Sequence, residues 1–133
     1  MSRILGIGID LVECARLERA LQAPWSQRFL ERVFTDLERS YCLSRPRPAV
    51  HLAARFAAKE AAFKALGSGV WAHSMGWRQV EVLRVEGSGP RLLLHGAAAE
   101  LAAGLGVNEA LLSMSHSTTW AVAQVLLQGE GCS

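Results

Sequence analysis

Glu60 and Lys64 place a carboxylate and an ammonium one helical turn apart, inside the stretch Arg55-Phe56-Ala57-Ala58-Lys59-Glu60-Ala61-Ala62-Phe63-Lys64-Ala65-Leu66-Gly67-Ser68-Gly69. Helical spacing sets Phe56, Glu60 and Phe63 on one side, with Lys64 a turn beyond Glu60. The charges then share a face with bulky apolar groups, where charge needs a partner, a metal or a catalytic task. The alternative is an ordinary surface pair at i, i+4, worth about 0.2–0.5 kcal/mol.

A second carboxylate favours the chemical reading. Asp10 ends the apolar run Ile4-Leu5-Gly6-Ile7-Gly8-Ile9, where strand meets loop and a sheet can hold a ligand rigidly. A turn or cap Asp is the competing reading. Asp10 and Glu60 together offer two hard oxygen ligands. Mg²⁺ takes one or two carboxylates and fills its octahedron with water and substrate phosphates.

Two weaker features accompany them. Gly67-Ser68-Gly69 could offer successive backbone N–H groups to a phosphate, or could simply end the helix. Because the glycines follow a helix, the helix dipole gives no help, and Lys64 must supply the positive charge. His116, in Ser113-Met114-Ser115-His116-Ser117, suits a substrate contact or proton transfer near neutral pH, or is a turn histidine.

The elements that must position these groups are legible in outline. A buried strand covers residues 4–9, and a helix marked by Leu17 and Leu21 closes at Pro24. A short helix holds Phe29 to Phe34. Thr35-Asp36-Leu37-Glu38 matches a capping box that opens a helix to about Cys42. The long helix runs from about 49 to 66, with Pro48 in its first turn. A hairpin follows (Val80 and Val82, a Gly87-Ser88-Gly89-Pro90 turn, then Arg91 to His95), then a helix at 97–105 and strands at 110–115 and 119–127. Residues 128–133 read as a frayed tail. Helices early and antiparallel hairpins late predict an α+β fold, one domain over residues 1–133.

Composition excludes several classes. Half of the 133 residues are apolar, a fifth are charged and the net charge is +2, so neither a nucleic-acid binder nor a disordered chain is indicated. Arg16, Arg19, Arg28, Arg32, Arg39, Arg45 and Arg47 crowd the first third, a distribution suited to an acidic partner. Scattered Cys14, Cys42 and Cys132 form no metal or redox pair and fit a reducing cytoplasm. No run approaches the roughly 20 apolar residues of a membrane helix.

These residues together resemble the holo-acyl-carrier-protein synthase family, the short type of 4′-phosphopantetheinyl transferase. The resemblance is carried by Gly8-Ile9-Asp10-Leu11-Val12-Glu13 with Arg16, by Phe29 to Glu38, by Arg55 to Gly69, by Val80-Glu81-Val82, by Gly89-Pro90 and by Ser113 to His116. It implies a 4′-phosphopantetheinyl transferase-like fold, an antiparallel sheet packed with helices in a half-size domain. It also implies a homotrimer with active sites at subunit interfaces. The implied reaction moves the phosphopantetheine arm of coenzyme A to a serine of an acidic apo-acyl carrier protein, with Mg²⁺, or Mn²⁺, as cofactor.

By the same resemblance Asp10 and Glu60 bind the metal and Lys64 contacts phosphate and stabilises or protonates the leaving group. Glu60 accepts the serine proton, directly or through a water on the metal. His116 and the main chain at Gly67, Ser68 and Gly69 line the coenzyme pocket, Arg55 reaches the 3′-phosphate, and Arg16 and Arg28 receive the carrier. The chain departs from the family pattern at Trp71 and at Gln79, where Asp is common; by the resemblance, residues 70–79 border the coenzyme pocket. A non-catalytic module binding coenzyme A or carrier is the alternative reading, and a pyrophosphate hydrolase a further one.

Overall fold

The computed structural model describes residues 2–67 and 76–130. Ser68, Gly69, Trp71 and most of the 70–79 segment lie outside them. In chain order the elements are β1 (Arg3–Glu13), α1 (Cys14–Gln22), α2 (Ser26–Val33), α3 (Asp36–Leu43), α4 (Pro48–Ala65), β2 (Val80–Arg84), β3 (Pro90–Leu94), α5 (Gly96–Gly104), β4 (Val107–His116) and β5 (Trp120–Gly129). β1, β5 and β4 form an antiparallel sheet in that order, and β2 and β3 form a separate hairpin.

α4 lies across the three-stranded sheet and forms the centre of the core. Pro48 opens it at a position where a missing N–H is harmless. Its alanines at 57, 58, 61 and 62 are wholly buried, as is Phe63. Gly67, at φ 76°, ends it in the left-handed conformation that glycine adopts without strain, its N–H donating to Lys64 O at 3.0 Å. Gly67 is thus a helix terminator.

β1 touches α4 backbone to backbone. A Cβ on Gly8 would lie 1.9 Å from Ala61 O, and one on Gly6 2.0 Å from Ala65 O. Only glycine permits that approach. Small residues on both partners therefore set the strand–helix distance.

β1 is longer than the apolar run suggested. It continues through Asp10 to Glu13, because Val12 is a core residue and pairing with β5 extends from Arg3↔Gly129 to Glu13↔Trp120. Asp10 therefore stands inside the strand rather than at its end, opposite Ala123 on the face turned to α4. Gln128 and Gly129, expected in a tail, pair instead with both neighbouring strands.

The other face of this sheet is apolar and uncovered in the single chain. Ile7, Ile9 and Leu11 of β1 are more than half exposed, with Leu111 and Trp120 beside them. No helix among the described residues is long and apolar enough to cross a membrane.

A buried polar network joins α3, α4 and the hairpin. The capping box of α3 is complete: Thr35 Oγ1 accepts from Glu38 N at 3.3 Å, and Glu38 Oε1 accepts from Thr35 N at 2.9 Å. Glu38 Oε2 also accepts from Val82 N at 2.8 Å. Thr35 Oγ1 donates to Glu81 Oε2 at 2.5 Å, and Glu81 Oε1 meets His95 Nε2 at 3.0 Å. Burial opposes ionisation of Glu81, but the bonds from Thr35 and His95 outweigh it and hold its pKa below the usual carboxylate value.

Candidate active site

The strand and helix that meet at the glycines bring Asp10 and Lys64 into contact. Lys64 Nζ donates to Asp10 Oδ1 at 2.9 Å and to Ile9 O at 3.1 Å. The lysine side chain is half exposed, while that of Asp10 retains 20% exposure, so the pair faces a solvent-accessible rim. Glu60 precedes Lys64 by one turn and is part-buried between Phe56 and Phe63 along the helix. Asp10 and Lys64 therefore meet at the seam between β1 and α4, and the Glu60 carboxylate lies one helical turn before Lys64. Carboxylate oxygens are hard anionic donors of the kind that suit a divalent cation such as Mg²⁺.

A second cluster lies nearer the start of α4. Arg55 is 3% exposed; its guanidinium lies 4.5 Å from the Tyr41 ring centroid and its Nη1 donates to His51 O at 3.3 Å. Arg45 and Arg84 approach the same ring at 4.4 and 5.9 Å. His51 packs against His116, ring centroids 5.3 Å apart, in a cleft of about 400 Å³ also lined by Pro46, Arg47, Ser117 and Thr118. Arg55 Nε is buried without a hydrogen-bond partner among the described residues.

Three guanidiniums around one phenol ring concentrate positive charge there. That charge is felt by His51, whose pKa lies below the ordinary histidine value through burial first and then through His116, Arg55, Arg45 and Arg84. Arg55 and His116 were legible in the sequence. Tyr41, Arg45, Arg84 and His51 were not, because they converge from four elements or loops with no common spacing.

Arg16 and Arg28 are both exposed, on α1 and α2. Arg16 lies 5.0 Å above the ring of Phe56, one turn before Glu60. Gln79 Oε1 accepts from Ala98 N at 3.0 Å in the first turn of α5. The largest surprise is Lys59. The sequence suggests an inward-facing charge at Glu60, yet on α4 it is its neighbour that has no exposure at all.

Three comparisons bear on this arrangement. Residues 6–125 match the model of the 4′-phosphopantetheinyl transferase superfamily. The chain is 47% identical over 125 residues, 94% of each chain, to a holo-[acyl-carrier-protein] synthase of Moorella thermoacetica. Its fold is similar to that of a holo-(acyl-carrier-protein) synthase from Bacillus anthracis in complex with CoA (3′,5′-ADP), with TM-score 0.75 and 34% identity over 96% of this chain and 98% of that one. The Neisseria meningitidis holo-[acyl-carrier-protein] synthase gives TM-score 0.83 at 30% identity, covering 94% of this chain and 98% of that one.

Proposed function

The chain belongs to the holo-[acyl-carrier-protein] synthase family of the 4′-phosphopantetheinyl transferase superfamily, and we propose that it carries out the family's transfer at the seam of Asp10, Glu60 and Lys64. It moves the 4′-phosphopantetheine group of coenzyme A to a serine hydroxyl of an apo-acyl carrier protein and releases adenosine 3′,5′-bisphosphate. The observation that carries the proposal is the convergence of Lys64 on Asp10 one turn from Glu60.

Asp10 and Glu60 would hold Mg²⁺, with Mn²⁺ as a substitute of like chemistry. A cation bound there supplies positive charge to the pyrophosphate oxygens. The reaction forms a serine Oγ–P bond and breaks the P–O bond to the nucleotide, so charge grows on the departing phosphate. Lys64, half exposed and reaching the seam, stabilises that charge through hydrogen bonds. Glu60 accepts the serine proton. The basic cluster of Arg55, Arg45, Arg84 and His116 receives the 3′-phosphate, and the chain leaving Gly67 borders the coenzyme.

The exposed apolar face of the three-stranded sheet supports assembly of a homotrimer, since an uncovered face of this kind favours burial against another chain. In that assembly each pocket is completed by the adjacent copy. Arg16, over Phe56 of α4, and Arg28 on α2 offer an acidic carrier exposed guanidiniums.

The test is the intact mass of an apo-acyl carrier protein after incubation with this protein, coenzyme A and Mg²⁺, with Glu60→Ala in parallel. A gain of one phosphopantetheine that is lost without metal and in the variant supports the assignment. Coenzyme A binding without any mass gain would instead favour a non-catalytic module.

A further inference from the structure

Lys59 has its ammonium fully enclosed and saturated. It meets Glu38 Oε1 at 2.8 Å, donates to Trp77 O at 3.2 Å, and makes a short third bond to Val80 O. An ammonium has three donors, and here each has an acceptor. The acceptors come from α3, from the turn before β2 and from β2 itself, each about twenty residues from Lys59 in the chain. Glu38 is equally enclosed, with further bonds from Thr35 N and Val82 N.

If stability alone were served, a methionine would fill the same volume without desolvating an ion. What an apolar side chain cannot do is fix the helix at hydrogen-bond length to three separate elements at once. Successive residues on α4 are turned by about 100°, so the rotation that satisfies Lys59 also dictates where Glu60 points. The Trp77 ring reinforces the same setting, stacked on Phe56 at 5.1 Å and edge-on to Phe63 at 5.8 Å.

We propose that Lys59, through its tie to Glu38 and the Trp77 and Val80 carbonyls, is a positioning residue for the transfer, setting the rotation of α4 that aims Glu60 and Lys64 at Asp10. This rests on the assignment of Glu60 and Lys64 to the reaction. The tie acts through geometry, so its loss moves the reacting groups without removing any of them.

The experiment uses Lys59→Met and, from the other end of the tie, Glu38→Gln, which changes one atom and preserves an acceptor. Each is checked for folding by circular dichroism and thermal midpoint at the assay temperature. The expected result is a folded enzyme whose kcat falls by roughly 10- to 100-fold, with KM for coenzyme A within about twofold of the parent. Direct Mn²⁺ titration, read by electron paramagnetic resonance without substrate, should weaken by roughly tenfold. Should Lys59→Met fail to fold, Glu38→Gln alone decides. A folded variant with parental kcat and Mn²⁺ affinity, or a kcat reduced only in proportion to the folded fraction, overturns the proposal. Loss of activity in Glu60→Ala with none in either tie variant would sink this inference alone, whereas full activity in Glu60→Ala would sink the site assignment beneath it.

Discussion

Lys64 donates to Asp10 across the seam between α4 and β1, joining residues 54 positions apart in the chain. On the proposed assignment the lysine and a divalent cation would compete for one carboxylate. Lys64→Met is expected to show two changes of opposite sense. Turnover falls by about 100-fold, the usual scale for losing one charge-stabilising donor. Mn²⁺ binding, measured by calorimetry without substrate, becomes tighter. Weaker metal binding in this variant would contradict the competition.

Gly8 tests the backbone contact beneath that pair. A methyl group there would stand 1.9 Å from Ala61 O, and the obstruction is main chain on both sides. Gly8→Ala is expected to destabilise the fold by about 3 kcal/mol, at the upper end for overpacking, read from the urea midpoint. An unchanged midpoint would mean that strand and helix can separate freely.

The depressed pKa of His51 has a direct consequence for acid stability. Between its folded pKa and the ordinary value of 6.5, the unfolded chain binds the proton that the folded chain refuses. Stability is then lost as pH falls from above 6.5 through the folded pKa. Urea midpoints at pH 7.5 and 5.5 should differ less in His51→Gln than in the parent. An anion in the arginine cluster removes part of the cause, so adenosine 3′,5′-bisphosphate should also reduce the difference.

Arg28 is exposed and Arg16 stacks on Phe56, so the two arginines should respond differently to substitution. Arg28→Ala is expected to raise the KM for the carrier protein several-fold, about the effect of one exposed charge on association, and to leave the KM for coenzyme A unchanged. Arg16→Ala should also lower kcat, because it uncovers the ring one turn before Glu60. Steady-state kinetics with each substrate varied in turn separates the two. Equal behaviour would show the stacking to be without effect.

Local rules made α3 and α4 legible. The capping box at Thr35 and Glu38, the buried alanines, Pro48 and Gly67 are each short-range signals, and all act in the structure as their chemistry suggests. Asp10 was found as a residue but misplaced as a strand end, since what prolongs β1 is pairing with β5, more than a hundred residues away. Lys59 was missed because lysine in an alanine-rich helix normally faces water, and its acceptors at Val80 and Trp77 lie about twenty residues downstream. The bond of the Gln79 amide to α5 was not legible either, because Ala98 lies 19 residues on. What remained hidden was in each case a contact between distant segments.

The glycine–alanine contact of β1 and α4 also bears on how this sequence can drift. No flexible side chain stands between the strand carrying Asp10 and the helix carrying Glu60 at Gly6 and Gly8. Exchanges of leucine, valine or phenylalanine elsewhere in the core can be absorbed by local rearrangement. They do not alter a spacing set by main chain against main chain. The reacting groups are thereby insulated from most of the variation the core can tolerate, and a few small residues bear the whole constraint.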